Sequence, residues 1–158
     1  MSFDTIFVPP FGSDESRILE IDNETGDTVA FHPVGDVVRA IDRDADGNVY
    51  AAVGGYVKKY SPDIDLIWES SDNQIYTRNV IAVSDDGNTV FAGGGSRVAR
   101  LNGDDGTKVW SSYDTSIGCQ DLSYNGEYLF AQAADTSEDR RYDPASGSYS
   151  EAELVGYN

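Results

Sequence analysis

Asp46-Gly47-Asn48-Val49-Tyr50-Ala51 returns as Asp86-Gly87-Asn88-Thr89-Val90-Phe91-Ala92, and again as Asn125-Gly126-Glu127-Tyr128-Leu129-Phe130-Ala131, with glycines 40 and then 39 residues apart. A second motif alternates with the first. It reads Leu19-Glu20-Ile21-Asp22 before Thr25-Gly26, then Lys59-Tyr60-Ser61-Pro62-Asp63, then Arg100-Leu101-Asn102 before Asp105-Gly106, then Arg141-Tyr142-Asp143-Pro144 before Ser146-Gly147. From Ile21 the corresponding Tyr60, Leu101 and Tyr142 follow at intervals of 39, 41 and 41 residues. Two interleaved motifs sharing one period mark an internal repeat of about 40 residues.

Each period reads as short strands joined by tight turns, because Asn-Gly, Asp-Gly and Gly-Gly steps supply the positive φ angles that hairpins demand. Helix signals are absent. The second unit is expected to have strands over 37–41, 48–53, 56–60 and 66–69. The third should have them over 79–83, 89–92, 97–101 and 108–111, and the fourth over 121–124, 128–133, 139–142 and 148–152. Ahead of these, 5–8, 17–21 and 28–31 supply the second, third and fourth strands of a first unit whose innermost strand is missing. Gly54-Gly55 and Gly93-Gly94-Gly95 join strand to strand, so they read as hairpin turns; a phosphate loop would open a helix.

A repeated four-stranded antiparallel unit of this length is the sign of a β-propeller blade, whose two faces are buried only by its neighbours. The expected fold is therefore all-β: a propeller-like array of about four antiparallel blades in one domain, 1–158. Its boundaries are an incomplete blade at 4–33, blades at 34–71, 76–113 and 117–153, and a tail at 154–158. Arg97-Val98-Ala99-Arg100-Leu101-Asn102-Gly103-Asp104-Asp105-Gly106-Thr107-Lys108-Val109-Trp110 resembles the quinoprotein-type propeller repeat, in which a strand leads to a Thr-Gly turn and then a strand ending in Trp. Ile18 to Val29 is a looser copy, Trp68 takes the Trp place in the second unit, and Ala40-Ile41-Asp42 through Ala51 is similar to a related repeat with an Asp-Gly-Asn turn. The resemblance implies an architecture and no single function. Such families close with more blades than are seen here. Either four blades close by themselves, with Glu153-Leu154-Val155-Gly156-Tyr157 supplying the missing first strand, or chains associate; the short tail favours a homo-oligomer, which would also cover edge strands.

The chain carries 28 acidic and 11 basic residues in 158, a formal charge of −17. The acids are 20 Asp and 8 Glu, against 8 Arg and only Lys58, Lys59 and Lys108, and they are spread along the whole chain. Nucleic-acid phosphates and anionic lipid heads would repel such a surface. No apolar run approaches the roughly 20 residues of a membrane span. Met1-Ser2-Phe3-Asp4-Thr5 lacks the charged and apolar regions of a signal peptide. The composition resembles that of proteins from salt-loving archaea and their viruses, where about 1 M salt shortens the Debye length to about 3 Å.

Asp42-Arg43-Asp44-Ala45-Asp46-Gly47 places three carboxylates at alternate positions before a glycine, the pattern of a calcium loop. Calcium is the one cofactor this suggests. The usual closing acid is absent, Val53 and Tyr50 standing at the two positions where one is found, so an acidic hairpin turn is the competing reading. Quinone-dependent dehydrogenases of the resembled architecture use pyrroloquinoline quinone, a metal and a catalytic Asp, and many carry adjacent cysteines. This chain has only Cys119, which reads as a small buried hydrophobe, and His32 stands near no recognised nucleophile. Tyr50, Phe91 and Phe130 recur at one strand position and read as packing between blades, with Trp68 and Trp110 also in the core. Tyr113, Tyr124, Tyr149 and Tyr157 lie near turns or termini, where a ring can meet a protein or stack on a sugar.

The sequence thus favours a non-catalytic structural or interaction module in a larger assembly. A capsid or tail decoration, turret or attachment protein of a virus of salt-loving archaea, at a virion surface or outside the cell, fits these properties. Its partners would be copies of itself and other structural proteins. The competing readings are a carbohydrate-binding propeller and, from the enzyme class, a fragment of a quinone-dependent dehydrogenase.

Overall fold

The computed structural model describes residues 5–9, 16–70, 80–113, 119–133 and 139–151. Tyr157, the rest of the 154–158 tail, Ala152 and Asn79 lie outside the described residues. Among those described there are fifteen strands and no helix. Sheet 1 holds β1 (Thr5–Val8), β2 (Arg17–Asp22) and β3 (Thr28–Pro33). Sheet 2 holds β4 (Val38–Arg43), β5 (Val49–Val53), β6 (Tyr56–Tyr60) and β7 (Leu66–Glu69). Sheet 3 holds β8 (Val80–Val83), β9 (Thr89–Gly94), β10 (Arg97–Asn102) and β11 (Lys108–Tyr113), and sheet 4 holds β12 (Cys119–Tyr124), β13 (Leu129–Ala133), β14 (Arg140–Tyr142) and β15 (Tyr149–Glu151).

Within each sheet every strand pairs antiparallel with its neighbour in sequence, as a chain of hairpins must. This is an all-β, propeller-like repeat architecture whose first sheet has three strands. The final turn of each sheet is built on one device, a side-chain oxygen accepting backbone N–H groups just downstream. Asp22 accepts from Glu24 and Thr25, Ser61 from Asp63 and Asp65, Asn102 from Asp104, and Asp143 from Ala145. The exposed Asp22 and Asp143 carboxyls are held below the ordinary carboxylate range by these backbone donors first of all.

Gly93-Gly94-Gly95 departs from the expected turn. Gly93 and Gly94 finish β9, and the chain reverses only at Gly95, with φ 56°, and Ser96. Gly93 and Gly94 pair with Val98 and Arg97, and the neighbouring sheet leaves no room for a side chain at Gly93, where a Cβ would stand 2.8 Å from Cys119 Sγ.

Three apolar clusters join the four sheets in sequence order. Phe7 and Ile18 of sheet 1 pack with Val38, Val49, Ala51 and Tyr60 of sheet 2. Tyr50, Val57 and Trp68 of sheet 2 pack with Ile81, Val90 and Leu101 of sheet 3. Phe91 and Val98 of sheet 3 pack with Cys119, Leu122, Leu129 and Tyr142 of sheet 4. Each cluster is one seam. The seams run nearest the first strands, where β4 touches β8 and β8 touches β12, while the outermost strands leave Phe31, Leu66, Val109 and Tyr149 exposed.

Candidate functional site

The sheet faces are the most regular chemistry in the molecule, and they follow from register. On the face each sheet turns toward its predecessor, the cross-strand pairs are Ile6–Ile21, Val49–Tyr60, Val90–Leu101 and Leu129–Tyr142. One residue along, on the face turned toward the successor, they are Phe7–Glu20, Tyr50–Lys59, Phe91–Arg100 and Phe130–Arg141. The first set is wholly apolar or aromatic; the second pairs an aromatic ring with a long polar side chain. Alternate residues of a strand point to opposite faces, so one repeat writes both halves of a seam.

Polar staples sit at the rim of each seam. Trp68 Nε1 and Lys59 Nζ both donate to the Gly103 carbonyl of sheet 3, at 3.0 and 3.2 Å. Trp110 Nε1 and Arg100 Nη1 donate to the Pro144 carbonyl of sheet 4, at 2.8 and 3.2 Å. The indoles lie over the glycines of the turns they bind: a Cβ on Gly106 would come within 2.6 Å of Trp68, and one on Gly147 within 2.6 Å of Trp110. Sheet 1 has no tryptophan at this place, Ala30 pairing with Glu20 instead. Here sheet 2 supplies the bulk. Ile64 takes φ 64° in its final turn and packs into the seam of sheets 1 and 2, while Glu20 binds His32 at 3.0 Å and Arg43 Nη1 donates to the Thr5 carbonyl.

The carboxylates of the Asp42, Asp44, Asp46 motif serve hydrogen bonds. Asp42 Oδ2 accepts from Val83 N–H of sheet 3 at 2.7 Å, and burial raises its pKa despite that bond and another from Arg43 N–H. Asp44 is buried. Its Oδ1 accepts from the N–H groups of Asp46 and Asn48, and its Oδ2 from Asn48 Nδ2 and the Tyr50 hydroxyl. Among the described residues no three His, Cys, Asp or Glu side chains come together as a group able to hold a metal. The Tyr50 hydroxyl lies between Asp44 Oδ2 at 3.0 Å and the Gly87 carbonyl of sheet 3 at 3.1 Å, its one proton serving one acceptor at a time. Burial, and then the Asp44 charge, raise its pKa.

Of the tyrosines singled out in the sequence, Tyr113 is exposed at the end of β11 beneath Arg97, and Tyr149 is exposed on β15 against Tyr142 and Arg140. Tyr124 instead packs on Phe91, with ring centroids 5.0 Å apart. The three stand on different strands and form no common patch. Tyr124 also lines a cleft of about 520 Å³ between the turns of sheets 3 and 4, with Ser84, Asp85, Asp86 and Asn125. Cys119 is buried in the seam of sheets 3 and 4, where burial, and then Asp121, push its thiol up to about 12. At neutral pH it is a protonated packing residue. What sequence reasoning missed is the staple set. Its signal was the recurrence of Lys59, Arg100 and Arg141 beside Tyr60, Leu101 and Tyr142.

No protein-family model and no curated protein matches the sequence. Solved structures do match the fold. A protein of unknown function from Bacteroides caccae is 19% identical, with a TM-score of 0.69 over 98% of this chain, which spans 60% of that one. The computationally designed Ika4 protein is 15% identical, with a TM-score of 0.71 over 90% of this chain and 87% of its own. The computationally designed Ika8 protein is 13% identical, with a TM-score of 0.72 over 94% of this chain and 46% of its own. At these identities the likeness is one of fold alone, and the fold is a propeller-like array of antiparallel sheets.

Proposed function

We propose that this chain is a non-catalytic interaction module that becomes part of a closed, larger body by associating with copies of itself. The observation that carries the reading is sheet 1. Three seams join four sheets, yet among the described residues sheet 1 has only three strands, so β1 is an edge with backbone groups open to pairing.

The setting we infer is the outside of a particle, or extracellular space, in high salt, the net charge of −17 being the supporting feature. Carboxylate repulsion opposes both folding and association and is screened as the Debye length shrinks. The chain should therefore elute as an oligomer by light scattering in about 2 M KCl, and its melting temperature should climb steadily from about 0.1 M salt. A monomer throughout, with a salt-independent melting temperature, would end this reading.

The cleft between the turns of sheets 3 and 4 favours a second reading, a carbohydrate-binding module. Tyr124 offers a ring face, and Asp85, Asp86 and Asn125 offer the polar groups that sugar hydroxyls need. A glycan array separates the two: binding that is lost in Asp85→Ala supports the sugar site, and a blank array removes it.

A further inference from the structure

We propose that the uncovered face of sheet 1 docks against the uncovered face of sheet 4 of a second copy, with Arg141 reaching the turn at Asn23. This rests on the self-assembly reading above and assigns the two surfaces that carry it. Four equivalent cross-strand pairs define the receiving face. Val49, Val90 and Leu129 are all fully buried, as are their partners Tyr60, Leu101 and Tyr142 to within a few per cent. Ile6 occupies the same position in sheet 1 and is 42% exposed, with Ile21 beside it only half-buried. An apolar pair in a register that is buried three times over, and wet the fourth time, is a seam without its other half.

The delivering face is defined the same way. Phe130 stands where Tyr50 and Phe91 are fully buried, but it is only half-buried. Arg141 stands where Lys59 and Arg100 are half-buried with their heads on a carbonyl of the next sheet, yet Arg141 is exposed with its guanidinium 4.7 Å from the Tyr128 ring. The carbonyls bound by Lys59 and Arg100 belong to the residue after Asn102 and the residue after Asp143. The matching residue after Asp22 is Asn23, exposed and flanked by Asp22, Glu24 and Asp27, so a cation delivered there meets an acidic turn. Its turn glycine is open as well: a Cβ on Gly26 would meet nothing within 4 Å, where Gly106 and Gly147 lie under indoles.

The occupant is a second copy because the chain's own sheet 4 leaves both Ile6 and Arg141 exposed. Two copies that exchange these faces around a twofold axis make two identical seams and leave neither face over. The delivering face is the more polar of the four, with Asp139 where sheets 1, 2 and 3 have Ile18, Val57 and Val98, and Ser150 where sheets 2 and 3 have Trp68 and Trp110. That suits a surface wetted before assembly. A seam without an indole exists already between sheets 1 and 2, where Ala30 holds that position.

The test is complementation, read as mass by light scattering in about 2 M KCl. The wild-type chain should run at twice its chain mass. Ile6→Glu and Arg141→Glu should each run at the single-chain mass while melting cooperatively, since both side chains are exposed before assembly. An equimolar mixture of the two variants should recover the two-chain mass, held by the one seam in which the intact sheet 4 of the Ile6→Glu chain meets the intact sheet 1 of the Arg141→Glu chain, the other seam carrying both substitutions. A wild-type oligomer whose mass neither variant alters would overturn the assignment of faces while leaving self-assembly standing. Monomeric wild type would remove both. Single-chain variants whose mixture stays at single-chain mass would also overturn the head-to-tail pairing.

Discussion

Replacing Trp68 with alanine should lower folding stability by about 3–5 kcal/mol, the range for emptying a buried indole site. Trp68 fills the seam of sheets 2 and 3, meets the Tyr50 ring edge-on with centroids 6.0 Å apart, and donates to the Gly103 carbonyl. The turn glycines separate the packing contribution from the backbone one. Gly26 and Gly106 have nearly the same conformation, φ 76° and 72°, so alanine at either costs about 1–2 kcal/mol for a left-handed non-glycine residue. Only Gly106→Ala drives a methyl to within 2.6 Å of the indole of Trp68. Chemical denaturation should therefore show Gly106→Ala losing clearly more than Gly26→Ala. In a Trp68→Ala background that excess should vanish, since the two sites share one contact. Equal losses at the two glycines would show that the indole does not seal this seam.

The forty-residue period and nearly every strand were legible because hairpin turns are written locally. Asp-Gly and Asn-Gly steps set the reversals, and the strands between them alternate by residue type. Several strands run one or two residues past their expected ends, as at Gly93 and Gly94, and the crowding of Gly93 by Cys119 belongs to the next sheet, out of reach of local rules. The staples were not legible as bonds. Their partners lie on different sheets, 35 residues apart for Trp68 and Gly103 and 34 for Trp110 and Pro144, and they meet only once the sheets pack. Ile64 is the sharpest case. A β-branched residue at φ 64° contradicts local propensity, and it packs into the first seam, where Ala30 stands in place of the indole that fills the second and third. Local rules read each sheet correctly but were silent on which side of a seam carries its bulk. The same holds for the acidic motif: its alternating spacing drew attention to a cation, whereas the position of Asp44 beneath Tyr50 and Asn48 depends on the seam to sheet 3.

Asp44→Ala should be the most damaging single change at a polar site, with a loss of about 3–4 kcal/mol, because it removes one acceptor from four donors at once, the buried Tyr50 hydroxyl among them. Asp46 N–H, Asn48 N–H and Asn48 Nδ2 would lose their acceptor, and the buried Tyr50 hydroxyl would be left with the Gly87 carbonyl alone. Asp44→Asn keeps one oxygen for the two backbone donors but turns an amide group toward Asn48 Nδ2, so its loss should be smaller, about 1–2 kcal/mol. The same bonds determine how the motif responds to calcium. A carboxylate offers about four lone-pair sites, and the two oxygens of Asp44 already face four donors, while Asp42 Oδ2 is engaged by Val83 N–H across the seam. A calcium ion, needing several oxygens at about 2.3–2.6 Å, would have to displace the Asp44 bonds within sheet 2 and the Asp42 bond that ties sheet 2 to sheet 3. Millimolar calcium should accordingly leave the melting temperature of the wild-type chain unchanged at fixed ionic strength. If calcium instead raises it, and the rise disappears in Asp44→Ala, then Asp42, Asp44 and Asp46 are ligands and the seam gives way to the metal.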